Sequence, residues 1–230
     1  MKKCIGIVGG LGPEATVLYY HTIVRKYYEK FGDHNYPKIV INCRPFDQYI
    51  NWGSHGDMTA IEDDLVKAVH ELTSAGADFA IISANTPHQV YDSVVKRVKI
   101  PMLSIVETVC AHAQRLRIQK IGLLGTEITM TQNFYPEVLS KAGIDTLVPE
   151  PADQAIIHDV IMNELSRGII YPESKNRYIE IIDKLTQNGA QGVILGCTEI
   201  PLLIKHDDVD IHVLDSTLLH AVAALNYAIE

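Results

Sequence analysis

Short apolar runs bounded by turn residues alternate along this chain with longer stretches of helical periodicity. Cys4–Val8, Lys38–Asn42, Phe79–Ser83, Lys120–Leu124 and Gly192–Leu195 read as strands, rich in β-branched residues and lacking polar alternation. Helical patterns cover 13–30, 57–75, 88–97, 104–116, 130–142, 153–167, 174–188 and 216–229. Strands apolar on both faces and separated by helices predict an α/β fold, its mostly parallel sheet covered on both sides. Gly76 and Gly189 stand just after their helices, where a left-handed C′ residue is favoured. Pro13 suits the first turn of the helix it opens.

The pattern occurs twice. GADFAIISANT at 76–86 recurs as GAQGVILGCTE at 189–199, and IGIVG at 5–9 recurs as IGLLG at 121–125. Pro101–Ser104 and His212–Asp215 follow the two copies of the longer segment at similar distances. Three matches in register predict two pseudo-symmetric α/β domains. The first covers 1–98 and is completed by the C-terminal helix at 216–230; the second covers 99–215. In this alignment Cys197 falls where the first copy has Ala84.

Composition narrows the setting. The formal net charge is −8 and the basic residues are scattered, which argues against nucleic-acid binding. No apolar run approaches the roughly 18 residues needed to span a bilayer, so no membrane partner is expected. The N-terminal apolar stretch breaks at Gly9-Gly10, too early for a secretory signal. Cysteines at 4, 43, 110 and 197 show neither tight pairing nor metal-ligand spacing. Reduced thiols, a cytoplasmic location and no metal are the expectation.

In open α/β sheets ligands bind beyond the carboxyl ends of the strands. Three such turns carry chemistry here. Gly10-Leu11-Gly12 precedes a helix, and backbone amides there suit an anion. The same glycines satisfy a dinucleotide fingerprint, but Asn42, Cys43 and Arg44 stand where an acidic ribose ligand belongs. A carboxylate-binding turn fits better, and a purely structural glycine turn is the plain alternative. Asn85 and Thr86 offer an amide and a hydroxyl to a small polar ligand, or a cap to the helix that Pro87 begins. His88 is open to a catalytic or a structural role. Cys197 lies at a strand's carboxyl end before a helix, where a thiol pKa is expected below about 8.5. Thr198 adds a hydroxyl, and Glu199 a carboxylate that suits a donor or an ammonium group. Cys4, Cys43 and Cys110 read as small buried hydrophobes.

GGLGPEAT, NTPH and GCTE, in this order and followed by Asp215, resemble the aspartate/glutamate racemase family over essentially the whole chain. The resemblance implies a pyridoxal-independent enzyme with no cofactor, two similar α/β domains and the substrate in the cleft between them. It also implies a homodimer. The substrate would be a small carboxylate, an acidic amino acid, racemised by a two-base mechanism in which one thiolate removes the α-proton and a thiol on the other face supplies another. Cys197 matches the family's second catalytic cysteine, and Ala84 occupies the position of the first. Thr126 and Thr129 match residues that bind substrate carboxylate in relatives, and Arg167 falls near a basic substrate-binding position. Alanine offers no acid or base. Three readings follow: a slow or one-directional racemase, a one-thiol decarboxylase or isomerase, or a catalytically weak amino-acid-binding protein.

Overall fold

A computed structural model describes residues 2–230. Its elements are β1 (Ile5–Gly9), α1 (Pro13–Phe31), β2 (Ile39–Cys43), α2 (Phe46–Ser54), α3 (Met58–Ser74), β3 (Phe79–Ile82), α4 (Tyr91–Arg97), β4 (Met102–Leu103) and α5 (Ile105–Arg115). They continue with β5 (Lys120–Gly125), α6 (Glu127–Thr131), α7 (Phe134–Lys141), β6 (Asp145–Leu147), α8 (Pro151–Asn163), α9 (Pro172–Gln187), β7 (Gly192–Gly196), α10 (Ile200–Leu203), β8 (His212–Asp215) and α11 (Ser216–Ile229). Short 3-10 turns lie at Thr86–Val90, Leu165–Arg167 and His206–Asp208. Among the described residues no helix is long and apolar enough to cross a membrane.

The strands form two four-stranded parallel sheets, ordered β2-β1-β3-β4 and β6-β5-β7-β8. The sequence repeat is therefore a repeat of topology. The chain divides into two compact units, one of residues 1–105 with 217–230, the other of 106–216. The first crossing lies beyond residue 98 because β4 still pairs with β3, Ala80 opposite Met102.

In the first unit, β1 and β3 are buried on both faces, as their unbroken apolar runs require. Val8 and Ile82 pack towards α3 through Leu65, Val69 and Leu72. Ile5, Ile7 and Ile81 pack towards α1 and α11. Ala221, Ala224 and Ala228 share one face of α11, and their small side chains join it to this cluster. In the second unit, Leu124, Val193 and Leu195 meet Ile157 and Ile161 of α8 and Ile181, Ile182 and Leu185 of α9.

Three local features differ from the pattern reading. The helix expected over 130–142 is two, broken at Gln132, whose backbone is extended. Pro136 explains the break: it has no N–H to donate to the Gln132 carbonyl, so it is tolerated only in a new first turn. Helix α2 lies outside the helical patterns named above, although Phe46, Tyr49 and Ile50 have helical spacing. Cys43 is exposed rather than buried, because it ends an edge strand.

Candidate active site

In the first unit the glycine turn and the Ser83–Thr86 turn end the neighbouring strands β1 and β3. Gly10 has φ 84° and Gly12 φ 49°, both left-handed. Gly12 stands at the N-cap position of α1 and Pro13 in its first turn. The Gly10 N–H donates to Thr16 Oγ1 at 2.9 Å, so in this structure that amide serves the fold and not a ligand. Gly10 is needed for steric reasons instead. A Cβ there would lie 2.3 Å from the Arg44 carbonyl oxygen, and the Arg44 N–H donates to the Gly9 carbonyl at 2.9 Å. Gly10→Ala is expected to cost about 2–5 kcal/mol, a left-handed backbone penalty added to overpacking. A lower urea midpoint checks this, and an unchanged one means the turn relaxes freely. Leu11 is buried in the core around α3.

Arg44 itself does not reach towards a ligand. Its guanidinium is bound by Asp64 and Glu71, and Tyr49 Oη donates to Asp64 at 2.9 Å.

Ser83 is fully buried, donates to the Val8 carbonyl at 3.1 Å and lies 3.2 Å from Thr16 Oγ1. Its hydroxyl is thus committed to the joint between β1 and β3. Ala84 is buried beside it. Asn85 is buried too, and its side chain does not cap the following 3-10 turn; its carbonyl accepts from the His88 N–H at 2.9 Å. Thr86 opens that turn.

His88 is structural. The Ile105 N–H can only donate, so it donates to Nε2 at 3.2 Å. Nδ1 therefore carries the ring proton and donates to the Ala84 carbonyl at 2.9 Å. Burial pushes this histidine down to about 4.

In the second unit the thiol turn and the Thr126 turn end β7 and β5, paired at Gly196 and Gly125. Thr126 caps α6 by accepting from the Thr129 N–H at 3.4 Å. Thr129 is fully buried, contrary to the expectation that it meets substrate. A Cβ at Gly125 or Gly196 would lie 2.7 or 3.1 Å from its methyl, so Thr129 fills the space those glycines leave. Its hydroxyl, 3.2 Å from that of half-buried Thr126, positions the latter. Arg167 is exposed on a 3-10 turn that packs against α10.

Cys197 is buried, and its Sγ–H donates to Glu199 Oε2 at 2.9 Å. The Thr198 hydroxyl donates to the same oxygen at 2.6 Å. Burial first, then the charge of Glu199 and its hydrogen bond, hold the thiol well above its ordinary range. Backbone N–H groups of Thr198 and Glu199 pull weakly the other way. The expectation of a depressed thiol pKa is thereby corrected. The helix beyond the turn has only four residues, and the sulfur is hydrogen-bonded to the carboxylate of its N-cap residue.

These strand-end turns, on a doubled βα unit, match a known family. Residues 8–224 match the family model described as Asp/Glu/Hydantoin racemase. The chain belongs to that family. It is 28% identical over 222 residues to the broad specificity amino-acid racemase RacX of Bacillus subtilis (strain 168), covering 93% of this chain and 92% of that protein. A candidate Asp/Glu racemase structure from Yersinia pestis superposes with TM-score 0.93 at 34% identity, over 99% of this chain and 100% of the other. An aspartate racemase homologue from Pyrococcus horikoshii OT3 gives 0.87 at 36% identity over the full length of both.

Within the family frame, two features escaped the sequence reading. One is the Thr16–Ser83 joint, for which no local signal exists because the partners are far apart in sequence. The other is the thiol–carboxylate bond, for which the Cys-Thr-Glu spacing was the available signal.

Proposed function

We propose that the chain is a cofactor-independent racemase of a small acidic α-amino acid, with Cys197 as its acid/base. The observation that carries this is the Cys197–Thr198–Glu199 turn at the end of β7, in a chain of a racemase family. The Cys197 thiolate takes the α-proton: the C–H bond breaks, an S–H bond forms, and the electron pair passes into the substrate carboxylate. Asn85, Thr86, Thr126, Thr198 and the backbone at Leu11 and Gly12 bind the substrate, and Arg167 attracts its carboxylates. Thr129 and Gly10 support these groups from beneath. Incubation of L- and D-aspartate and L- and D-glutamate in D₂O tests the reading by nuclear magnetic resonance. Loss of the α-hydrogen signal is expected for at least one; no exchange from any of the four sinks it.

Ala84 favours a second reading, a one-thiol decarboxylase, which needs protonation on one face only. Carbon dioxide release from a malonate-type acid, with no amino-acid exchange, would support that reading instead.

A further inference from the structure

The Glu199 carboxylate does two things at once. Oε2 accepts from both Cys197 Sγ and Thr198 Oγ1, while Oε1 makes no hydrogen bond among the described residues. The residue is half-buried, so its side chain is not sealed from solvent. Backbone N–H groups of Glu199 and Thr198 favour the ionised sulfur. What keeps the proton on it is burial together with the neighbouring negative charge.

An α-amino acid carries the missing cation. Its nitrogen is about 1.5 Å from the α-carbon, and the thiol lies 2.9 Å from the carboxylate. A substrate that presents its α-hydrogen to Sγ brings its ammonium to within a hydrogen bond of Glu199. We propose that Glu199 receives the substrate's α-ammonium group and that this contact releases Cys197 as a thiolate, so the base forms only when an amino acid is bound.

The inference rests on the racemase reading and narrows its substrate class. Compounds with a protonated α-amine switch the thiol on; 2-hydroxy acids and malonates of the same shape do not. The balance is one proton: free Cys–SH with Glu–COO⁻ becomes Cys–S⁻ with an ammonium–carboxylate pair, and the thiol proton leaves to solvent. The thiolate then takes the α-proton as above. The other ionisable group facing the sulfur is Tyr178 of α9, whose phenol is held neutral by burial and donates to the Ile157 carbonyl at 2.9 Å. Glu164 acts on that tyrosine in turn.

The test has two arms. In the first, thiolate ultraviolet absorbance is followed against pH for the wild type minus Cys197→Ser, alone, with aspartate, and with malate. Aspartate is expected to lower the titration by at least one unit, tenfold in the ionisation constant, and malate to leave it in place. Binding is scored separately by thermal shift. An amino acid that binds yet leaves the titration unmoved, or malate moving it equally, overturns the proposal without touching the exchange result. The second arm needs no substrate. In Glu199→Gln, iodoacetamide alkylation of Cys197 at neutral pH, read by mass spectrometry, is expected to speed up about tenfold or more. An unchanged or slower rate overturns the proposal even if aspartate is not the ligand.

Discussion

Replacing Ala84 with cysteine is expected to raise racemisation from at least one enantiomer by on the order of 10²–10⁴-fold, the contribution of one positioned acid or base. That is roughly 3–5 kcal/mol of barrier. The wild-type turn offers nothing ionisable in its place. Ser83 Oγ is spent on the Val8 carbonyl and sits fully buried against Thr16, and Asn85 and Thr86 carry no group that titrates near neutral pH. A single base returns the proton to the face it left. Wild-type protein should therefore wash deuterium into the α-position much faster than it inverts configuration. Ala84→Cys should bring the two rates together, and adding Cys197→Ser should remove both. The measurement is exchange by nuclear magnetic resonance beside enantiomer composition by chiral chromatography, on the same samples. If Ala84→Cys leaves the ratio where it was, the two repeats do not form a catalytic pair.

The contrast between the repeats extends to the packing beneath each turn. In the second unit Gly196 precedes the cysteine, and the Thr129 methyl fills the space beside it. In the first, Ser83 holds the matching position and meets Thr16 hydroxyl to hydroxyl. One joint is apolar and the other hydrogen-bonded. Both fix the strand-end residue that follows.

How much of this was legible depended on range. Strands such as Ile5–Gly9 and Phe79–Ile82 announce themselves because both faces are apolar, and the repeat gave the doubled topology. Two-residue β4 and three-residue β6 are too short for a periodic signal of their own. Turn positions were legible because glycine, proline and cysteine punctuate them. Ionisation was not: burial of the thiol and the Glu199 carboxylate beside it outweigh the helix start, and both are settled by tertiary packing and a side-chain rotamer. Thr129 was legible as a residue of the turn but not as one that points inward, since its burial comes from tertiary packing of its methyl against Gly125 and Gly196.

Acid should unfold the first unit well before ordinary carboxylate titration accounts for it. Two buried imidazoles lie in that unit, His88 and His220, with ring centroids 6.1 Å apart. The Leu103 carbonyl can only accept, so His220 Nε2–H donates to it at 3.0 Å, and Nδ1 accepts from Tyr19 Oη at 2.8 Å. Both rings are neutral, held as opposite tautomers. Burial pushes His88 down to about 4, and burial with the nearby His88 pushes His220 down to about 3, from an ordinary value of 6.5. Protonating His88 would set a donor against the Ile105 N–H. The folded values lie below the unfolded ones, so between pH about 6.5 and 4 the unfolded chain binds more protons. Stability is complete above 6.5 and is lost as pH falls through this window. Two such protons carry about 2.7 kcal/mol per pH unit, against a total of about 5–15 for a typical domain. The single tryptophan, Trp52, lies in α2 of the same unit and reports its unfolding. Urea midpoints by Trp52 fluorescence should drop steadily from pH 6.5 to 4.5. His220→Gln retains a donor for Leu103 and an acceptor for Tyr19 and should halve that slope. A midpoint flat with pH, or a slope unmoved by His220→Gln, would mean the folded state takes up these protons without cost. In that case the hydrogen bonds to Ile105 and Tyr19 do not hold the imidazoles neutral.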